Sequence, residues 1–210
     1  MTGGVITKTF GALSLKEREI LRYMGAREAD ETLLELIRDA KEECLAVFRP
    51  AVVYAYYPLQ RREAGVLDLG FAKTDSLSLM QALDGCDGVL VFAATVGLGV
   101  DRLLVRYGKL SPARALCIQA IGTAGVEALC DAFCAEQNAT LEVAGRRLGT
   151  RFSPGYGDLP LALQKDIFAA LDCPRRIGLT LGEGMLMSPT KSVTAVVGVF
   201  RGGRKEGTEK

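Results

Sequence analysis

The chain contains no histidine and no tryptophan. Without histidine it cannot assemble Ser-His-Asp or Cys-His catalysis, a histidine metal site or an imidazole general base. Any chemistry must therefore rest on carboxylates, a bound cofactor, or groups donated by a partner. A charge excess is also missing, since 26 Lys and Arg stand against 25 Asp and Glu for a net +1. That leaves no field to hold nucleic acid or an anionic membrane. Apolar runs such as Val89 to Ala94 are too short to cross a bilayer. The N-terminus has neither the basic start nor the apolar stretch and cleavage site of a secretory signal. The expectation is a cytoplasmic protein with no nucleic-acid or membrane partner.

The six cysteines are scattered rather than set out as a disulfide framework, so free thiols are expected. Cys130 and Cys134 share a helix face at i and i+4, but no third or fourth ligand stands at zinc spacing and no metal is assigned. With 210 residues the chain suffices for one domain with an extension.

Along the chain, Val5-Ile6-Thr7 reads as a short edge strand. Ser14 is placed to cap a helix starting at Leu15, with Gly25 as its stop. From Asp30, the residues Leu33, Leu36, Ile37, Ala40, Cys44 and Val47 recur at helical spacing up to Pro50. Residues 51–57 read as a strand, Gln60 to Glu63 as a charged turn, and Val66 to Phe71 as a second, antiparallel strand. Asp75 or Ser76 caps a short helix to Leu83, and Val89 to Thr95 is the most apolar strand and is expected at the centre. Gly97-Leu98-Gly99 lacks the third glycine of a dinucleotide fingerprint and the Lys-Ser/Thr end of a P-loop, and reads as a tight strand-to-helix turn. Ser111-Pro112 starts a long helix to Ala135 or beyond, on which Ala120, Gly122, Ala124, Gly125 and Ala128 form a slim face. Pro160 opens a helix ended by Asp172-Cys173-Pro174. Arg176 to Leu181 and Ser192 to Phe200 read as strands, and the charged residues 201–210 as a disordered tail by composition.

Arg151-Phe152-Ser153-Pro154-Gly155-Tyr156 carries the chemistry. It puts a fixed cation, a rigid turn and an aromatic ring within six residues, reading as a binding loop. Pro154 sets its own φ and pushes Ser153 into extended backbone, while Gly155 can take a positive φ and admit a ligand close to the main chain. Arg151 offers a planar fork suited to a carboxylate. A second island follows about thirty residues on, Glu183-Gly184-Met185-Leu186-Met187-Ser188-Pro189 running into Ser192-Val193.

Together, Arg-x-x-Pro-Gly-Tyr and the Glu183 to Val193 island resemble the reactivation domain of cobalamin-dependent methionine synthase. Val91 to Leu98 and the helix carrying Glu127 agree with this, so the resemblance covers residues 51–200. It is closest to the free-standing, single-domain type. It implies an α+β fold, a single mixed domain with a twisted, largely antiparallel sheet and long helices, here preceded by an N-terminal helical extension over residues 1–50. It implies binding of S-adenosylmethionine and support of reductive methylation of cob(II)alamin held on a corrinoid partner, most readily a cobalamin-binding methionine synthase, with flavodoxin or ferredoxin as electron donor. Such a protein is an accessory part of a methyltransferase, not a complete enzyme alone. Carried over by motif, Arg151 pairs with the donor's carboxylate, and Ser153 and Gly155 offer backbone groups beside Pro154. Tyr156 faces the donor or the corrin edge, Glu127 holds the ammonium, and Glu183 contacts the ligand or braces its turn. The family's N-terminal Asp-Trp stretch and its late tyrosine pair have no counterpart. The alternative is therefore a non-catalytic corrinoid-protein partner subunit that has lost donor binding.

Overall fold

The computed structural model describes residues 4–62 and 65–201. In chain order the elements are β1 (Ile6–Thr9), α1 (Glu17–Met24), α2 (Glu31–Val47), β2 (Ala51–Pro58), β3 (Gln60–Arg62), β4 (Val66–Asp68), β5 (Lys73–Thr74), α3 (Leu77–Ala82), β6 (Cys86–Thr95), α4 (Gly99–Leu110), α5 (Pro112–Glu142), β7 (Arg146–Phe152), α6 (Leu163–Leu171), α7 (Cys173–Ile177), β8 (Thr180–Leu181), β9 (Met187–Ser188) and β10 (Ser192–Arg201). The main sheet runs β1-β2-β6-β10-β7, antiparallel throughout. β6 lies at its centre, as its unbroken apolar run requires. Two small sheets, β3-β4-β5 and β8-β9, flank it.

The sheet separates two cores. On one face Leu90, Phe92 and Val197 meet α5 residues Ile121, Leu129 and Phe133, with Ile20 of α1 and Ile37 of α2 closing the outside. On the other, Val89, Val91 and Val196 meet Leu79, Ile167 and Leu171. Each such large side chain, fully buried, contributes about 1.5–3 kcal/mol. α5 is long and apolar enough by composition to cross a membrane, but the larger part of its most apolar stretch is buried in this core. Its small residues let neighbours approach: a Cβ at Gly125 would sit 2.5 Å from the Phe48 ring.

Caps follow the expected chemistry in part. Asp30 accepts from the Leu33 N–H, Ser76 from Leu79 and Ser111 from Arg114, and Gly25 ends α1 at φ 72°. Ser14 caps nothing, because α1 starts two residues later than expected, after Lys16. Gln60 to Arg62 is a strand paired with β4 rather than a turn, and Glu63 lies outside the described residues. The expected strand from Arg176 is instead the end of α7, where Pro174 sits in the first turn and Gly178 closes the helix at φ 65°, leaving only Thr180–Leu181 extended. The strand β7 was not anticipated. The first fifty residues contain the edge strand β1, and both their helices pack into the same core as α5. Arg201 completes β10, and the rest of the expected tail lies outside the described residues.

Candidate functional site

Arg151 stands on a strand, not in a loop. It is the penultimate residue of β7, opposite Val197 of β10, whereas Leu148 lies opposite Val199. Two steps on β10 thus match three on β7, a bulge of one residue. In a regular strand, residues 148 and 151 would point to opposite faces. The bulge turns both toward α5, where Leu148 packs and Arg151 finds its partners. Gly149 allows it, since a Cβ there would lie 2.8 Å from the Phe200 ring.

The Arg151 guanidinium donates through Nη2 to Glu127 Oε2 at 3.0 Å and to Asp131 Oδ1 at 2.9 Å, while Nη1 is buried with no hydrogen-bond partner. Its side chain is 28% exposed. Burial works against its charge, yet neighbouring Cys130, Glu127 and Asp131 outweigh this and hold the group above its ordinary pKa. The same α5 face brings the Cys130 and Cys134 thiols near the guanidinium. Burial pushes them up to about 12 and about 11, so both stay protonated and unreactive.

These residues floor a cleft of about 370 Å³, within the ~300–1,000 Å³ of small-ligand sites. Ala124, Glu127, Ala128 and Asp131 form its α5 side at i, i+3, i+4 and i+7. The other wall comes from the N-terminal segment, with Ser14, Lys16, Glu19, Arg22 and Tyr23. Glu19 pairs with Arg22 at 2.7 Å. The lining therefore carries three cations (Lys16, Arg22, Arg151) and three anions (Glu19, Glu127, Asp131). Such a surface suits a ligand bearing both signs on a small apolar body.

Of the residues singled out in the sequence, Arg151 and Glu127 line this cleft, while its N-terminal wall was not anticipated. Its signal was present in Lys16, Glu19, Arg22 and Tyr23, polar residues on or next to one amphipathic helix. The remaining expected site residues lie elsewhere. Ser153 to Tyr156 form a turn closed by the Tyr156 N–H donating to Ser153 C=O at 3.1 Å, with Gly155 at φ 89°. Pro at the second and positive-φ Gly at the third position define type II. Pro154 is buried, whereas Tyr156 is 69% exposed with its ring edge-on to Phe152 at 5.3 Å. None of the four lines the cleft. The turn is pinned by Asp158, which accepts from Ser76 Oγ at 2.5 Å, Leu77 N–H at 2.7 Å and Ser78 N–H at 3.1 Å. Glu183 is exposed in a 3₁₀ turn between β8 and β9, also away from the cleft.

Among solved structures, the chain is similar to the MetH reactivation domain bound to AdoHcy. The likeness has a TM-score of 0.68 at 16% identity and covers 97% of this chain and 80% of that one. The fold is thus that of the reactivation domain, and the first fifty residues fall almost wholly within the match. No protein-family model and no curated protein matches the chain.

Proposed function

We propose that the chain binds S-adenosylmethionine in the cleft over Arg151 and supports reductive methylation of cob(II)alamin on a corrinoid methyltransferase, most readily cobalamin-dependent methionine synthase. The reading rests on one observation: Arg151 stands between Glu127 and Asp131, with a further buried guanidinium nitrogen unpartnered. The amino-acid end of the donor carries one carboxylate and one ammonium. Its carboxylate takes Arg151 and its ammonium takes Glu127 or Asp131, so each charge of the amino-acid end gains a partner of opposite sign. Ala124 and Ala128 offer apolar surface to the rest of the molecule. The binding of AdoHcy by the similar domain supports the same ligand class.

The chain's contribution is positional. Arg151 and the α5 carboxylates fix the polar end of the donor, and the pinned turn presents Tyr156 on the surface as a rigid contact for the corrinoid partner. The partner's cobalamin supplies the methyl-accepting metal, and flavodoxin or ferredoxin the electron. No histidine of this chain takes part, because there is none.

A second reading, a corrinoid-protein partner that has lost donor binding, is favoured by the pairing of Arg151 within the protein itself. Calorimetric titration with S-adenosylmethionine separates the two. Saturable binding that disappears in Arg151→Ala supports the reactivation factor. Silence both with and without the corrinoid partner overturns it in favour of the second reading.

A further inference from the structure

The opposite end of β7 holds a second arginine in a different arrangement. Arg146, ~17 Å along the strand from Arg151, donates through Nη2 to Asp87 Oδ1, while Arg201 Nε donates to Asp87 Oδ2 at 2.6 Å. Here one carboxylate serves two guanidiniums, so among the described residues one positive charge is uncompensated. The nearby Asp84 does not offset it, since that carboxylate stands 3.5 Å from Arg61. Arg147, next along β7, stacks on the Phe200 ring at 4.2 Å and adds a cation that pairs with no carboxylate among the described residues.

Arg146, Asp87 and Arg201 border a cleft of about 270 Å³ with Tyr56, Tyr57 and Gly88. The Arg146 side chain is only 18% exposed, and its Nε is buried without a hydrogen-bond partner. Arg201 is the exposed counterpart, 84% accessible, and it holds Asp87 through Nε. Tyr56 donates its hydroxyl to Gln137 at 3.0 Å, which leaves the hydroxyl oxygen free to accept. The protein as a whole has a net charge of only +1, so this excess is a local feature.

We propose that the cleft between Arg146, Arg201 and Tyr57 is a binding site for a small oxyanion, a phosphate or the carboxylate of a small organic acid, separate from the cleft over Arg151. A guanidinium pair is the side-chain chemistry best suited to such a group, because its planar donors match oxygens of one anion at two points. Asp87 is the resident competitor, holding the two arginines together while the site is empty of other anions.

The test is titration of the full chain with inorganic phosphate and, separately, with acetate, at constant ionic strength, followed by calorimetry or by amide shifts at Gly88 and Val199. Saturable binding of either probe is expected, and the stronger of the two identifies the source. Arg201→Ala, at an exposed position, weakens binding about tenfold, and Arg201→Glu abolishes it. Asp87→Asn removes the competitor and tightens it. Absence of saturation with both probes overturns the proposal, as does binding that both Arg201 substitutions leave unchanged. An S-adenosylmethionine titration run in parallel is unaffected by Arg201→Ala, which keeps the two clefts distinguishable.

Discussion

The two ends of β7 invert one another. At one end an arginine is the hub between two carboxylates, Glu127 and Asp131; at the other a carboxylate, Asp87, is the hub between two arginines. Arg146 shares a strand face with Leu148 by alternation, as Arg151 does through the bulge, and both arginines keep one buried nitrogen without a partner. What differs is the sign left over, negative around Arg151 and positive around Arg146. The same residue type on the same strand thus prepares one end for a group carrying an ammonium and the other for an anion. An arginine's role is read from the count of its counter-ions more than from its own charge.

The comparison depends first on the bulge. Gly149→Leu puts a side chain into the Phe200 ring and is expected to cost about 3 kcal/mol, measured by urea unfolding, together with loss of ligand binding over Arg151. A change below about 0.5 kcal/mol would show that the bulge does not hold both arginines on one face. Next comes the hub. Arg151→Ala leaves two carboxylates facing each other and is expected to lower stability by about 2 kcal/mol. Arg146→Ala leaves the Asp87–Arg201 pair intact and should cost about 1 kcal/mol. Equal losses in thermal melts would erase the distinction between the two ends. The smallest effect is local and depends on pH. The Ser76 hydroxyl, aided by the Leu77 and Ser78 N–H groups, holds the Asp158 carboxyl down to about 2 from an ordinary 3.8. Because its folded value lies below its unfolded one, its contribution is complete above about 3.8 and fades as pH falls toward about 2. Pepsin cleavage within residues 153–160 should therefore accelerate over that window, and Asp158→Asn should make it fast throughout.

Legibility in the sequence followed periodicity. The helix from Asp30, the Ser111-Pro112 start, the central strand ending at Thr95 and the last strand from Ser192 all carry long apolar patterns and unambiguous ends, and the structure has them. The type II turn was equally readable, because Pro154 and Gly155 each restrict or release one dihedral. β7 was not. Its sequence Arg-Arg-Leu-Gly-Thr-Arg-Phe places three arginines and a glycine in seven residues, and the bulge breaks the period of two that marks a strand. The short helix at Cys173 was masked by Val-like spacing around Ile177, Leu179 and Leu181, which packing and Pro174 override. At the site, Arg151 stood out as a cation beside a rigid turn, and Glu127 came from motif resemblance. The N-terminal wall was not assigned to the site, although its polar residues are readable on and beside one helix, because it joins the cleft across more than a hundred residues of chain.

That last feature makes the cleft a seam. Residues 14–23 close against α5 from the far end of the chain, fastened by buried Leu15 and Ile20 and by the Lys41 ammonium donating to the Leu15 carbonyl. A molecule lodged between the two margins would act as a stitch, protecting amides of the first helix from exchange far more than those of the central strands. Trimming the chain before Gly25 would leave the floor of the cleft in place yet open it to bulk water, where the attraction between Arg151 and any zwitterion falls to that of an ordinary surface pair.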